Sequence, residues 1–195
     1  AIELNKRLGL DNQVMRVLGI KARLDPRRVI FAEADNQKIL KAAQIAFEEG
    51  IAHPILLGDE KRIRQIALDN SIDIDDLQII DPRSDEYEEK RRQFGALFFK
   101  KRQRKGMNLY ESSKIMKDRT YFGCMMVETG DADAMISGLT KNYPDTIRPA
   151  IQIIGMEPGV NKIAGMYLLL TKKGPLFLAD TTVNFTPTAD ELADI

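Results

Sequence analysis

In the stretch SGLTKNYPDTIRPAIQIIG (137–155), an apolar run ends in a Ser-Gly loop, and a helix opened by Pro144 follows. The chemistry this spacing offers is anion binding. A helix N-terminus aims free N–H groups and the positive end of its dipole at the loop before it. Ser137 and Gly138 let the backbone approach a ligand, Thr140 and Thr146 supply hydroxyls, and Arg148 supplies a two-pronged guanidinium suited to phosphate. The same residues also read as an ordinary strand-to-helix turn, which needs a glycine and a cap, and in which Asp145 satisfies the dipole. Spacing alone leaves both readings open.

A second concentration of positive charge sits in KKRQRKG (100–106). A basic helix end complements the dipole in solvent; alternatively, Arg102 or Arg104 turns inward toward the same anion. His53 precedes Pro54 with no second histidine nearby, which argues against a metal site. Cys124, among Phe122, Met125 and Met126, reads as a small buried hydrophobe rather than a nucleophile. Asp131 and Asp133 straddle Ala132 and read as turn pins, while Asp180 and Asn184 flank a strand end, binding backbone or lining a cleft.

The elements that must position these residues follow from periodicity. Residues 4–19 are amphipathic at helical spacing. Strands are predicted at 27–34, 53–59 and 77–81, and helices at 35–50 and 60–70. Strand, helix, strand, helix, strand at this spacing implies parallel crossovers, hence an α/β fold whose parallel sheet is flanked by helices in three layers. A long helix, acidic at its start and basic at its end, is predicted over 84–106, with helices over 108–118 and 120–130 and a buried strand over 131–138. Pro144 is placed at the first helical position, and that helix runs to about Gly155. Beyond residue 156 two β-rich runs, 162–171 and 174–180, have a short link that implies an antiparallel pair, and Thr188 with Glu191 forms a capping box.

Composition narrows the function classes. The 195 residues fit one large domain, or one domain with part of another, and 44% hydrophobic content is enough for a real core. With 29 basic and 29 acidic residues the formal charge is zero, so no global field recruits nucleic acid or an anionic membrane, and any anion site must be local. No apolar run approaches the roughly 20 residues that cross a bilayer. A single cysteine excludes an internal disulfide, and the cytoplasm is the expected location. The chain starts at Ala1 and stops where a helical pattern begins, which reads as a piece of a longer polypeptide: a connector helix over 1–22, a first α/β domain over 23–155, and the truncated beginning of a second α/β domain over 156–195.

Taken in order, VIFAEADNQKILKAAQIAFEEGIAHPILLGD (29–59), QRKGM (103–107), GDADAMISG (130–138), DTIRPAIQII (145–154) and LADTTVNFTPTADELADI (178–195) resemble phosphate acetyltransferases. NYPDTIRPA (142–150), GPLFLADTTVN (174–184) and the leading helix look closer to the phosphotransacetylase-like C-terminal domain of NADP-dependent malic enzymes. The family resemblance implies acetyl transfer between acetyl phosphate and coenzyme A, in a cleft between two α/β domains, with no metal or redox cofactor in this domain. Arg148 matches an arginine of the acyl-phosphate site, with Thr146 beside it, and Arg102 matches another cleft arginine. Where the family carries a small hydroxyl-rich stretch, this chain has Lys141, Asn142, Tyr143 and Pro144, so Tyr143 is expected to line and reshape the pocket, with Asn184 as a second lining candidate. The family's Ser-Arg pair and its proposed Asp base lie beyond the position matching Ile195, so residues 1–195 alone are expected to be inactive.

The malic-enzyme resemblance makes the expected function regulatory: an acetyl-CoA-sensing, oligomer-forming region of a parent that decarboxylates malate to pyruvate with NADP and a divalent metal held upstream. Two alternatives stand beside it, a genuine phosphate acetyltransferase and a structural assembly module. The expected partners are acetyl-CoA, acetyl phosphate or phosphate, and further copies of the chain.

Overall fold

The computed structural model describes residues 13–160, 162–171, 174–180, 183–184 and 186–194. The chain divides into two compact units, one of Lys21–Ile154 and a smaller one that includes Gly155–Ile195.

The larger unit is built on four parallel strands, β1 (Arg27–Phe31), β2 (Ala52–Leu57), β3 (Gln78–Ile80) and β4 (Ala134–Ile136), in the order β3-β2-β1-β4. In β1 and β2 successive side chains point to opposite faces and build two separate cores. Phe31 and Leu56 join Leu40 and Ala43 of α2 (Gln37–Glu48) and Ile63 and Ala67 of α3 (Glu60–Asp69). Their neighbours Ile30, Ile55 and Leu57 face Phe94 and Phe98 of α4 (Glu88–Arg102), Phe122 and Met125 of α6 (Arg119–Glu128), and Ile153 of α7 (Tyr143–Ile153). Helices on both faces of a parallel sheet make the predicted three-layer α/β architecture.

Local signals set the helix starts. Asn36, Asp59 and Asp118 cap α2, α3 and α6 by accepting backbone N–H groups of the first turn. Asn108 and Glu111 form a reciprocal capping box on α5 (Leu109–Ile115).

Several predicted elements change form. The helix expected over 84–106 is α4 flanked by short 3-10 turns, Asp85–Tyr87 and Gln103–Lys105, and Gly106 ends it at φ +85°. The first amphipathic helix, α1, is described from Gln13 and runs on to Leu24, where Arg23 pairs with Glu49 at 3.1 Å; residues 4–12 of the predicted span lie outside the described residues. The strand expected to be buried over 131–138 is only β4, with Ala134 and Ile136 exposed, because it pairs on one side only, with β1.

In the smaller unit β5 (Met166–Thr171) and β6 (Gly174–Ala179) pair antiparallel, Met166 opposite Ala179 and Thr171 opposite Gly174. Its helix α8 (Ala189–Asp194) carries the predicted box: Thr188 N–H donates to Glu191 at 2.9 Å, and Glu191 N–H to the Thr188 hydroxyl at 3.3 Å. No described helix is long and apolar enough to cross a membrane.

Candidate functional site

Strand order locates the first place to look. From β1 the chain steps to β2 and β3 on one side, then returns to lay β4 on the other side of β1. Loops leaving the carboxyl ends of β1 and β4 therefore diverge, and such a switch point is where open parallel sheets hold ligands. Here the two loops are tied together. Ala32 N–H donates to the Ile136 carbonyl at 3.1 Å, and Ala34 N–H to the Leu57 carbonyl at 3.4 Å. Between them Glu33, 2% exposed, accepts from the N–H groups of Gly138 at 3.2 Å, Leu139 at 2.8 Å and Thr140 at 3.0 Å, with the Ser137 hydroxyl at 3.5 Å.

The Ser-Gly loop does hold an anion, but the anion is Glu33. The expectation that the backbone here faces phosphate is corrected for its amides: those of Gly138 and Thr140 are already engaged. Gly138 adopts φ +113°, a region that a side chain disfavours, so glycine is needed there for backbone shape. Glu33 escaped the sequence reading because its partners lie more than a hundred residues away. The available signal was an acidic residue inside the buried run FAEA (31–34).

The start of α7 is self-satisfied as well. Asn142 is its cap and accepts Asp145 N–H, Tyr143 opens the helix, and Pro144 stands second rather than first and has no N–H to offer. Thr146 sends both its N–H, at 3.2 Å, and its hydroxyl, at 3.1 Å, to the Asn142 carbonyl. The expected row of free helix amides is thus largely occupied, and the Thr146 hydroxyl donates within its own helix.

What remains for a ligand is side-chain charge. A cavity of about 300 Å³ is lined by Asp118, Tyr121, Lys141, Asp145, Arg148 and Pro149. Lys141 enters it from the Glu33-held loop, its ammonium 2.8 Å from both the Asp118 carboxylate and the Thr120 hydroxyl. Arg148 comes from the first turns of α7 and, among the described residues, makes one long contact, with Asp145 at 3.4 Å, its side chain 57% exposed. One such contact leaves most of the five guanidinium N–H donors available. Tyr121 donates its hydroxyl to Gln152 at 2.8 Å. Burial raises the Tyr121 hydroxyl above its usual range; the charge of Arg148, and more weakly that of Arg102, oppose the rise, and that of Asp118 adds to it. Arg102, at the end of α4, is not among the residues that line the cavity. Burial alone would raise the Asp118 carboxyl, but the hydrogen bond and charge of Lys141, with the amides of Tyr121 and Thr120, outweigh it and hold Asp118 below the usual carboxylate range. Lys141 and Asp118 were not among the predicted site residues.

The other predicted residues lie elsewhere. Tyr143 is 49% exposed and is not among the residues that line this cavity. Asn184 belongs to the smaller unit, where its side-chain amide donates to the Ile163 carbonyl at 3.1 Å. Cys124 is buried, its thiol pushed up to about 12 mainly by desolvation, which suits a core residue and not a nucleophile. A larger depression of about 540 Å³ beside Arg64 and Ser71–Asp75 contains one cation, already paired with Glu60 at 2.8 Å. Another, about 270 Å³, is lined by four carboxylates, Asp59, Glu60, Asp81 and Glu86, against one cation, Lys61, which disfavours an anionic ligand.

Comparison with known proteins agrees with the α/β fold. Residues 13–195 match the phosphate acetyl/butaryl transferase family. The chain is 36% identical over 180 residues to the phosphate acetyltransferase of Clostridium acetobutylicum, covering 89% of this chain and 53% of that protein. It is 35% identical over 181 residues to the enzyme of the same name from Thermoanaerobacterium thermosaccharolyticum, covering 90% and 54%. Among solved structures it is similar to the EutD phosphotransacetylase from Staphylococcus aureus, with a TM-score of 0.82, 27% identity, 92% of this chain and 53% of that one. The chain thus spans about half the length of these relatives. The reading of the chain as the regulatory region of a malic enzyme is overturned by these findings: relatives matching at 30–36% identity over about 90% of the chain are named phosphate acetyltransferase. With its α/β sheet and a family match over residues 13–195, the chain belongs to the phosphate acetyl/butaryl transferase family.

Proposed function

We propose that the protein interconverts acetyl-CoA and phosphate with acetyl phosphate and coenzyme A. In the forward direction a phosphate oxygen attacks the thioester carbonyl carbon, the new C–O bond forms, the C–S bond breaks, and the sulfur leaves as thiolate or, with a proton, as thiol. The protein's task is to hold the multiply charged phosphate and to steady the charge that moves from phosphate oxygen to sulfur. Fixed cations do this best in a partly water-excluded pocket, where each donor is worth far more than in bulk water.

One observation carries the reading: Arg148, with most of its donors open, and Lys141 line the same cavity of about 300 Å³, at the lower end of the size range for small-ligand sites. Arg148 supplies the bidentate grip, and Lys141, held by Asp118, supplies a second positive charge at a fixed place. Self-association belongs to the same proposal.

The test is phosphate-dependent release of coenzyme A from acetyl-CoA by the full-length protein, with butyryl-CoA as a second arm because the family name covers both acyl groups. Release that saturates with phosphate is the expected result. Release that is independent of phosphate, or absent with both thioesters, removes the reading. Sedimentation of the same preparation reports the oligomeric state.

A further inference from the structure

We propose that Glu33 is a positioning residue for phosphate binding: its buried carboxylate fills the amide nest of residues 138–140 and thereby delivers Lys141 to the cavity. This rests on the acetyl-transfer reading above and assigns the device that makes the site.

The need for such a device is visible in the loop itself. β4 is three residues long and pairs on one side only, with β1, and Gly138, Leu139 and Thr140 after it are all exposed. Nothing in their side chains fixes the path of the backbone, yet Lys141 follows at once and must meet Asp118 and Thr120 at 2.8 Å. Three successive N–H groups converging on one point form a concavity for an anion. Glu33 supplies that anion from a rigid base, because the residues on either side of it are fastened to the ends of β4 and β2. A carboxylate is also the one side chain that accepts on both oxygens without presenting a donor; a glutamine in its place turns an NH₂ group toward an N–H and leaves part of the nest unsatisfied.

The alternative is that Glu33 only stabilises the fold. The two roles separate in a double-mutant cycle of Glu33→Gln and Lys141→Ala in the full-length protein, read as KM for phosphate, KM for acetyl-CoA and kcat, with amide hydrogen exchange across 137–141. If Glu33 acts through Lys141, E33Q raises the KM for phosphate about tenfold, leaves the KM for acetyl-CoA within about twofold, and adds little once Lys141 is already alanine. Glu33→Asp, which keeps the charge but shortens the reach, falls between. Equal changes in both KM values, or effects of E33Q and K141A on phosphate KM that simply multiply, overturn the proposal.

Should E33Q fail to fold, the same cycle is run with E33D, and hydrogen exchange in the wild-type protein tests the clamp independently. Slow exchange at the amides of 138–140, despite their exposed residues, supports the clamp, and exchange as fast as in open loops overturns it. Absence of phosphate-dependent activity in the wild type removes the acetyl-transfer reading and the positioning role with it, while slow exchange in that case still shows that the clamp exists.

Discussion

Arg148 is held loosely, and that is a property of a binding residue more than of a structural one. Its one ion pair among the described residues, with Asp145 on the same helix and more than half exposed, contributes under about 1 kcal/mol to stability. If its charge instead serves phosphate in the reaction, its removal is felt there alone. Arg148→Ala is expected to lower phosphate-dependent activity of the full-length protein by about 10²–10³-fold, the usual cost of deleting one donor to developing charge. Its melting temperature should stay within a few degrees of the wild type, and Arg148→Lys should recover part of the activity, since a point charge replaces a fork. Steady-state kinetics alongside a thermal melt decide it; a large melting-point loss matching the activity loss would return Arg148 to a structural role. The position of Arg148 on the helix was legible in the sequence because DTIRP places it about one turn into α7. Glu33 and Lys141 were not, because their meaning depends on contacts across 104 and 23 positions that no local pattern encodes.

The elements themselves were mostly legible, since apolar periodicity and caps act within a few residues. Boundaries moved where tertiary contact decided them. α4 is the clearest case: its sequence reads as one charged helix, but a single face is gripped, at Phe94, Gly95 and Phe98, while Leu97 on another side stays exposed. Gly95 is what allows α5 to approach. A Cβ built there would stand 2.6 Å from the Ser113 hydroxyl, 2.7 Å from its Cα and 3.0 Å from its backbone nitrogen. Backbone cannot yield as a flexible side chain can, so Gly95→Ala, although alanine is the better helix former by about 1 kcal/mol, should destabilise by roughly 1–3 kcal/mol net. Denaturant unfolding measures this; a stabilised G95A variant would mean that the two helices are not packed as described. Gly123 is a useful contrast. Its nearest would-be neighbour, at 2.6 Å, is the flexible Met135 thioether, so Gly123→Ala should be tolerated better.

At the scale of the whole molecule the parallel sheet has to be closed at both ends, and polar groups do it at each. At the carboxyl end the Glu33 nest joins the exits of β1 and β4; at the amino end Arg28 joins their entrances. The Arg28 guanidinium and backbone N–H meet Asp133 at 2.8–3.1 Å, the same guanidinium donates to the carbonyls of Gly130 and Asp131, and Asp133 N–H returns to the Arg28 carbonyl at 2.9 Å. The turn-pinning role predicted for Asp133 thus joins the strand entrances, while the Asp131 carboxylate meets Thr129 and Lys90. These hydrogen bonds from Arg28 hold the Asp133 carboxyl at about 2, well under its usual 3.8. A carboxyl depressed in the folded state favours folding when ionised: its contribution is fully present above the unfolded value near 4 and is lost as pH falls toward 2. Asp118, Asp35 and Asp131 are depressed in the same direction, the first two by Lys141 and Arg119 against their burial and Asp131 chiefly by Lys90 and Thr129 against its own, so wild-type stability should fall steeply below about pH 4. Asp133→Asn isolates one share of that fall. The variant should be less stable than the wild type at pH 7, and the gap between their urea midpoints should narrow steadily from about pH 4 and nearly close by about pH 2. A gap that stays constant across this range would show that Asp133 acts by shape and hydrogen bonding alone, and that charge does not fasten the amino end of the sheet.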